Sequence, residues 1–461
     1  MSLDIAVTTD VVVVGGGYAG LAAALHLKDA GVAAVVLEAA DRVGGRVHTE
    51  VRGPGLVVDH GGQWAGPTQK YLLALANRFG CALFPTYEEG RHIEVWHDGT
   101  RRPYAGALPE AAPGVAEYVR VTALLDALAA EVDVDQPWLT PRLAQWDGQS
   151  AETFFRGQTS DASALRRLAL AIQGVWSAEP REISLFHVLF YIRSAGSFTE
   201  LMETRDCAQD SRFVDGADAP ARAIAASLGD AVHTGTAARS IEHSGLGGIV
   251  VRCDQGSVTA RQAIVALPAP SLARLEFRPA LPPSRAGWLA QTRMGRVAKV
   301  HAAYAEPFWR PEGLSGIATL YGDRPVGVVF DNSPADGSAG VLVAFVYGDR
   351  VTGWSGRPAP RRRAEVLADL AAVVGDRASE PLDYTERIWT DDPYIRGGYE
   401  AFMAPGAWSA FGEHGWREPT PTGIHWAGTE TSSRWNGYID GAIRSGQRAA
   451  GAVLAGLAGG R

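Results

Sequence analysis

Residues 11–21 read VVVVGGGYAGL, and this stretch decides the fold. The four valines predict a buried strand, and the apolar pattern that begins at Leu21 predicts a helix. The glycines between them, Gly15, Gly17 and Gly20, match the G-x-G-x-x-G motif. They allow a tight turn, the approach of a pyrophosphate to the backbone, and close packing of helix on strand. The stretch therefore predicts a Rossmann-like dinucleotide site.

An acidic residue follows this motif at the spacing that such sites use. A second apolar strand ends at Glu38, 18 residues after Gly20, where a carboxylate can bind the ribose hydroxyls. The same carboxylate would repel a 2′-phosphate, so NADP is disfavoured. A glycine-rich turn in an ordinary α/β protein is the alternative, and the flanking strand, helix and Glu38 make it the weaker interpretation.

NAD and FAD share this motif, and two further glycine pairs help to choose between them. Gly44-Gly45 precedes Arg46, and Gly61-Gly62 precedes Gln63 and Trp64. Paired glycines beside a dinucleotide indicate a backbone that approaches a large, flat cofactor closely. The planar guanidinium of Arg46 can bind the pyrophosphate.

The C-terminal part of the chain carries a second ligand-binding pattern. An apolar strand, Ile424–Ala427, runs into Gly428, and a helix opens near Gly441 after a turn that contains Tyr438. Several backbone N–H groups and an aromatic ring therefore meet where a helix N-terminus can stabilise an electron-rich group.

These motifs resemble those of the flavin-containing amine oxidases of the monoamine oxidase family, specifically a soluble bacterial member of the cyclohexylamine oxidase kind. The similarity follows the family's order from one end of the chain to the other. The stretches that carry it are Val11–Leu21, Leu37–Arg46, Gly61–Gln69, Ser177–Glu182, Gly295–Lys299, Trp389–Tyr399 and Trp426–Ala450. The resemblance implies an α/β amine oxidase fold, with a Rossmann-like FAD-binding domain and an α+β substrate-binding domain.

Because the cofactor motifs lie at both ends of the chain, the FAD-binding domain must be discontinuous. We place it at residues 1–90, 211–285 and 420–461, and the substrate-binding domain at residues 91–210 and 286–419. The substrate is expected to bind between the two domains, against the flavin ring.

The resemblance also implies which residues bind FAD. They are Gly15, Gly17, Tyr18, Ala19, Gly20, Glu38, Gly45, Arg46, Gly62, Gln63, Trp64, Ala238, Trp389, Gly428, Glu430 and Ile439. Ala238 would contact the adenine through its backbone, and Trp389 would pack near the flavin. Many relatives have arginine where this chain has Ala40, which leaves Glu38 as the main ribose contact.

The resemblance further implies that three residues take part in catalysis. The family has a lysine at the position of Lys299 that reaches flavin N5 through a water, and its expected role is to assist reoxidation by oxygen. Tyr399 and Tyr438, each beside a glycine, would form an aromatic slot that guides and polarises the amine. From pattern alone, Lys299 could equally face solvent from a half-exposed strand, and either tyrosine could belong to an ordinary core.

Further family positions concern the attachment of FAD and the substrate cavity. Mitochondrial relatives have a cysteine, joined covalently to the flavin, where this chain has Gly398, so FAD is expected to bind noncovalently. Gln209 matches a glutamine that lines the substrate cavity. Trp176 and Met202 are expected to narrow that cavity, with plain core packing as the alternative.

Composition restricts the possible partners and compartments. The net charge of −8, from 43 Lys+Arg and 51 Asp+Glu, gives no indication of nucleic-acid binding. No stretch offers the roughly 18 consecutive apolar residues that span a bilayer. The three cysteines show no metal-binding or disulfide spacing and fit a reducing cytoplasm. The oligomeric state stays open, a homodimer included.

The activity implied by the resemblance is FAD-dependent oxidative deamination. An amine would become an imine that hydrolyses to an aldehyde or ketone, with oxygen reduced to hydrogen peroxide. An L-amino-acid oxidase is an alternative that needs a cation, such as Arg193 or Arg205, for the substrate carboxylate. A polyamine oxidase would need an acidic residue at the far end of the pocket. A non-catalytic flavin scaffold is disfavoured because the chain has no room for extra interaction domains.

Overall fold

The computed structural model describes residues 5–53, 56–243, 248–420 and 423–459. In chain order, its strands are β1 (Ile5–Val14), β2 (Ala34–Leu37), β3 (Thr49–Val51), β4 (Val57–Asp59), β5 (Trp64–Ala65), β6 (Leu83–Pro85), β7 (Arg91–Val95), β8 (Arg101–Tyr104), β9 (Ser211–Phe213), β10 (Val232–His233), β11 (Ala238–His243), β12 (Ile249–Cys253), β13 (Gly256–Val265), β14 (Glu276–Arg278), β15 (Thr292–Met294), β16 (Val297–Tyr304), β17 (Leu314–Leu320), β18 (Val328–Asp331), β19 (Gly340–Tyr347), β20 (Asp383–Ile388), β21 (Ala401–Met403) and β22 (Ile424–Trp426). Its α-helices are α1 (Tyr18–Asp29), α2 (Lys70–Arg78), α3 (Val115–Ala129), α4 (Leu143–Asp147), α5 (Ala151–Gln158), α6 (Ala162–Trp176), α7 (Leu185–Ala195), α8 (Phe198–Met202), α9 (Ala219–Leu228), α10 (Ala269–Leu272), α11 (Pro283–Gln291), α12 (Asp349–Ser355), α13 (Ala359–Val374), α14 (Ala407–Gly415) and α15 (Ile439–Gly459).

The strand before the glycine motif, β1, lies inside an eight-stranded sheet of order β10-β2-β1-β13-β12-β11-β14, in which β22 also pairs with β13. It is parallel to both of its neighbours, and its four valines, 11–14, are at most 2% exposed. Continuous apolar runs are typical of parallel strands that are covered on both faces. The predicted strand, turn and helix are all present, and α1 begins at Tyr18.

The carboxyl ends of four strands meet at one edge of this sheet. Val14 of β1 is in register with Leu37 of β2 and Val265 of β13, and Val265 is in register with Trp426 of β22. Ligands of open α/β sheets bind outside the carboxyl ends of the strands. The glycine motif and the C-terminal pattern therefore converge at the edge where a dinucleotide is expected.

Helices from opposite ends of the chain pack together beside this sheet. α1 contacts α15, and a Cβ added to Gly446 would clash with the carbonyl oxygen of Ala19. Glycine is needed at this position because the two backbones approach closely. The contact holds the N-terminal and C-terminal motifs in one layer.

A second sheet has seven strands in the order β20-β16-β19-β18-β17-β7-β8. Its inner strands β16 and β19 pair antiparallel, and every residue in both is buried. The strands of the first sheet come from residues 5–37, 232–278 and 424–426, and those of the second sheet come from the segments between them. The boundaries proposed for the two domains stay a prediction.

The described part of the chain contains no membrane-spanning helix, no cluster of metal ligands and no disulfide bond. No helix there is long and apolar enough to cross a membrane. The described residues also hold no group of three or more His, Cys, Asp or Glu side chains that could bind a metal ion. Cys81, Cys207 and Cys253 are unpaired.

Helices α3, α6, α7 and α14 share a hydrophobic core, to which α4, α5, α8 and α11 also contribute side chains. Trp408 in this core is 1% exposed. Its ring lies 4.8 Å from that of Trp288 and 4.9 Å from that of Phe190, measured between centroids. Aromatic pairs of this kind contribute stability beyond the area that they bury.

We expect Trp408→Ala to lower the free energy of unfolding by about 3–5 kcal/mol, because the space left by an indole in a packed core is only partly refilled. Urea unfolding followed by circular dichroism measures the change. Leu382→Ala is the control, since Leu382 is 77% exposed, and it should change the free energy of unfolding by less than about 0.5 kcal/mol. Equal stability of the two variants would show that this core contributes little.

Candidate active site

The turn between β1 and α1 forms part of the wall of a large cavity. Gly15 has a φ of +109°, a left-handed conformation that favours glycine. Its N–H donates to the carbonyl of Leu37, 2.8 Å away. A Cβ added to Gly20 would clash with the carbonyl oxygen of Gly15. These glycines thus permit both the tight turn and the close helix–strand contact.

The first turn of α1 offers uncapped donors to an anion. Its N-cap residue is Gly17, which has no side chain to accept from the first N–H groups, and the turn holds no acidic residue. A Cβ added to Gly17 would find its nearest neighbour, the Cα of Gly45, 3.8 Å away. Because the N-terminus of a helix carries partial positive charge, this open turn suits a pyrophosphate.

Glu38, which follows β2, braces the glycine turn and lines the cavity. Its carboxylate accepts from the N–H of Gly16 at 2.6 Å and from that of Ala40 at 2.7 Å. Burial raises the pKa of Glu38, although both hydrogen bonds oppose this effect. Each carboxylate oxygen keeps a further acceptor position that a ribose hydroxyl could use. Glu38 therefore also stabilises the glycine turn, a role that the spacing of the motif does not reveal.

Arg46, which follows Gly44-Gly45, connects this glycine pair to two distant parts of the chain. Its guanidinium forms an ion pair with Glu430 and donates to the carbonyl of Tyr399 at 3.2 Å. Glu430 also accepts from the N–H of Ala401 at 3.1 Å. Burial favours the neutral form of Glu430, but the charge of Arg46 lowers its pKa below the ordinary value. Both terminal nitrogens of Arg46 thus already donate to oxygen atoms of the protein. The contact of Arg46 with a pyrophosphate stays a prediction.

Lys299 lies inside the protein, not on a half-exposed strand. It is 2% exposed, and its Nζ donates to the carbonyl of Gly61 at 2.8 Å and to the side chain of Gln63. Burial lowers its pKa to about 7, which the nearby carboxylate of Asp59 partly opposes. The ammonium also lies 5.6 Å from the centre of the Trp64 ring. At neutral pH this amine can therefore exchange between charged and uncharged forms.

Tyr399 and Tyr438 both line the cavity. The hydroxyl of Tyr399 lies 3.1 Å from that of Tyr347. The ring of Tyr438 lies 4.8 Å from that of Trp435 and 6.0 Å from that of Tyr191, measured between centroids. Burial raises the pKa of both cavity-lining phenols, so they are neutral at physiological pH. Two neutral aromatic rings therefore line the same cavity, and the slot between them stays a prediction.

Two of the three predicted substrate residues lie on the cavity wall. Gln209 and Met202 line it, and Gln209 donates to the carbonyl of Leu201 at 3.1 Å, while its own side-chain oxygen is buried without a partner. Trp176 does not line the cavity. It is fully buried, with its ring centroid 4.9 Å from that of Tyr191. Trp176, at the end of α6, belongs to the helical core, and its ring contacts the cavity-lining residue Tyr191.

The predicted cofactor residues converge on this one cavity, which has a volume of about 1110 Å³. Pockets for single small molecules usually measure roughly 300–1,000 Å³. The predicted residues on its wall are Gly15, Gly17, Tyr18, Ala19, Glu38, Gly45, Arg46, Gly62, Gln63, Trp64, Ala238, Trp389, Gly428 and Ile439. Gly20 and Glu430 do not line the cavity. Gly20 packs against Gly15, and Glu430 forms an ion pair with Arg46, so each contacts a residue that does.

Sequence reasoning missed a buried carboxyl group next to the slot. Glu400 is fully buried, and a Cβ added to Gly437 would clash with both its Oε2 and the hydroxyl of Tyr191. Burial, followed by the charge of Glu430, raises the pKa of Glu400 well above its usual range. A single acidic residue after Tyr399 forms no pattern, so no sequence signal could have found it.

The fold and the cavity define a flavoenzyme, and the chain belongs to the family of flavin containing amine oxidoreductases, which it matches over residues 18–454. It is 39% identical to AofH of Mycobacterium tuberculosis, provisionally named a flavin-containing monoamine oxidase, over 97% of both chains. It is 35% identical to the putrescine oxidase of Kocuria rosea, over 98% of this chain and 96% of that one. The solved structure of cyclohexylamine oxidase from Brevibacterium oxydans superposes with a TM-score of 0.93 at 32% identity, over 97% of this chain and 99% of that one. The expected family and amine oxidase fold are confirmed.

The cofactor of this family is FAD, and the cavity fits a dinucleotide. The open turn at Gly17 and the uncapped start of α1 suit the pyrophosphate, and Glu38 and Ala238 line the adjoining wall. Among the described residues, no cysteine lines the cavity, and Gly398 lies on its wall. The site therefore offers FAD hydrogen bonds and packing, without a thiol in reach.

We expect denaturation with acid to release all of the FAD, because Gly398 has no side chain that could be joined to the flavin. The measurement is flavin absorbance in the supernatant and in the washed precipitate. Yellow precipitate with flavin-free supernatant would contradict noncovalent binding.

Proposed function

We propose that the residues of this cavity perform the oxidative deamination of an amine as it lies between Tyr399 and Tyr438. The observation that carries the proposal is one continuous cavity, which joins the glycine motif to these two tyrosines and to Lys299. FAD, when bound, supplies the oxidation of the carbon that bears the amine and the reduction of oxygen to hydrogen peroxide. The imine product then hydrolyses to an aldehyde or ketone.

The aromatic slot would orient and desolvate the amine. The phenols of Tyr399 and Tyr438 stay neutral because burial raises their pKa. The faces of their rings can stabilise partial positive charge on the substrate. Positioning the reacting carbon in this way removes much of the entropic barrier of a bimolecular reaction.

Lys299 would assist the reaction with oxygen. Its Nζ is buried beside Gly61 and Gln63, and a cation in such surroundings stabilises negative charge that develops on oxygen. Because burial lowers the pKa of Lys299 to about 7, the ammonium predominates below this pH and the neutral amine above it.

The arginines considered for an L-amino-acid oxidase do not favour that alternative. Neither Arg193 nor Arg205 lines the cavity, and Arg205 pairs with Glu88 at 2.5 Å. Neither is therefore available to a substrate carboxylate there.

A cytoplasmic location is part of the proposal, supported by three cysteines that are all unpaired. A small-molecule amine and oxygen would be the substrates. Assembly into a homodimer stays a prediction.

Release of hydrogen peroxide that depends on added amine tests the proposed function of the FAD-loaded enzyme. An enzyme that releases no peroxide with any amine would contradict it.

Variants of Tyr438 test the aromatic slot. We expect Tyr438→Phe to keep most of the activity, because the ring and its face remain. Tyr438→Ala should slow the anaerobic reduction of the flavin by about tenfold or more, since packing, orientation and ring electrostatics are all lost. The same order is expected at Tyr399. Ala variants that reduce at the wild-type rate with unchanged amine affinity would rule out the slot.

We expect Lys299→Met to slow the reaction with oxygen by about tenfold or more, equivalent to about 1.4 kcal/mol of transition-state stabilisation, and to affect anaerobic reduction far less. In the wild type, the rate constant with oxygen should fall as pH rises through about 7, since Lys299 then loses its charge. The variant should lack this step. Stopped-flow measurements of the two half-reactions, made separately, provide the comparison. Identical oxygen rates and pH profiles would leave Lys299 a structural role only.

A further inference from the structure

The wall of the cavity includes three charged side chains that the proposed reaction does not use: Glu88, Arg167 and Glu203. Arg167 pairs through its Nη1 with Glu94 at 2.6 Å, and Arg102 pairs with the same carboxylate at 3.0 Å. Glu88 is compensated by Arg205. Within the described residues, the carboxylate of Glu203 has neither an ion pair nor a hydrogen bond.

A hydroxyl without a partner also faces the cavity. Tyr118 of α3 lines the cavity and is only 7% exposed, and its hydroxyl has no hydrogen bond within the described part of the chain. Burial, then Tyr321, then Glu203 raise the pKa of Tyr118, which places Glu203 close to it. A neutral phenol can accept a hydrogen bond, and its ring can face a cation.

An unpaired carboxylate in this setting lacks a counter-charge. Burial and the nearby Glu88 raise the pKa of Glu203, because both disfavour its charged form. A positive group placed beside Glu203 would offset both effects. An ammonium has three N–H donors, which match the two oxygens of Glu203 and the hydroxyl of Tyr118.

We infer that Glu203 and Tyr118 form a subsite for the distal cation of the substrate, so that the enzyme prefers linear diamines and polyamines to monoamines of the same length. This inference rests on the proposed function, since the second amino group of the substrate would be the one oxidised at the aromatic slot. The subsite fixes one end of the molecule and leaves the reacting end between Tyr399 and Tyr438. It assigns the substrate class that the family resemblance leaves open.

The test compares three amines of equal chain length: cadaverine, aminopentanol and pentylamine. The wild type should show its highest kcat/KM with cadaverine. In Glu203→Gln, which keeps the shape and removes the charge, kcat/KM for cadaverine should fall by about tenfold or more, since a charge-assisted contact is lost. The values for the other two amines should change by less than about twofold. Glu380→Gln is the control, because Glu380 is exposed and does not line the cavity.

The outcomes separate this subsite from the proposed function. A parallel loss for all three amines, or no loss for any, would overturn the subsite while amine oxidation stands. If Glu203→Gln does not fold, Tyr118→Phe removes only the hydroxyl and should lower kcat/KM for cadaverine selectively. If the wild type oxidises no amine, the proposed function fails. The dissociation constants of cadaverine and pentylamine, measured by calorimetry for the wild type and Glu203→Gln, then decide whether the subsite exists.

Discussion

The partly buried ion pair between Arg46 and Glu430 is the interaction on which the site depends. Arg46 follows Gly44-Gly45 and Glu430 follows β22 of the first sheet, so the ion pair joins the N-terminal and C-terminal motifs. Both partners also bind backbone around the slot, through the carbonyl of Tyr399 and the N–H of Ala401. Removing one partner would leave an uncompensated charge in surroundings of low polarity. The wall of the cavity at Arg46 and the backbone at Tyr399 and Ala401 are thus stabilised by the same contact.

The low polarity of the protein interior also determines the protonation states of the ionisable side chains in and near the cavity. Burial lowers the pKa of Lys299 to about 7 and raises that of Glu400 well above its usual range, so both groups are drawn towards neutrality. At the slot, a neutral reacting amine is therefore favoured over an ammonium ion. Burial also raises the pKa of Glu203, but this carboxyl group has no ion pair within the described residues, so a positive group beside it would favour its charged form. The cavity thus favours an uncharged group at one end of a substrate and a positive group at the other.

The elements with a periodic or motif signal could be predicted from the sequence. The strand and turn before α1 needed only four valines and three glycines, and the position of Glu38 followed from its spacing. Residues whose role depends on packing between distant elements could not. Trp176 looked like a cavity residue, yet its helix turns it towards Tyr191 in the core. Glu203 and Glu400 belong to no motif, and only the tertiary structure shows that one lines a cavity and the other is fully buried.

The contact between α1 and α15 has a consequence for biosynthesis. β22 and α15 are the last of the described elements to leave the ribosome, whereas β1 and α1 are the first. Until Gly446 can pack against Ala19, one face of α1 lacks its cover, and the edge that binds the nucleotide lacks its final strand. A nascent chain would therefore expose apolar surface until residues 424–459 have been synthesised, and a capacity to bind FAD would arise only after these residues have folded. The release of chaperones from the apolar surface and the binding of FAD would therefore depend on the same folding step, the packing of β22 and α15.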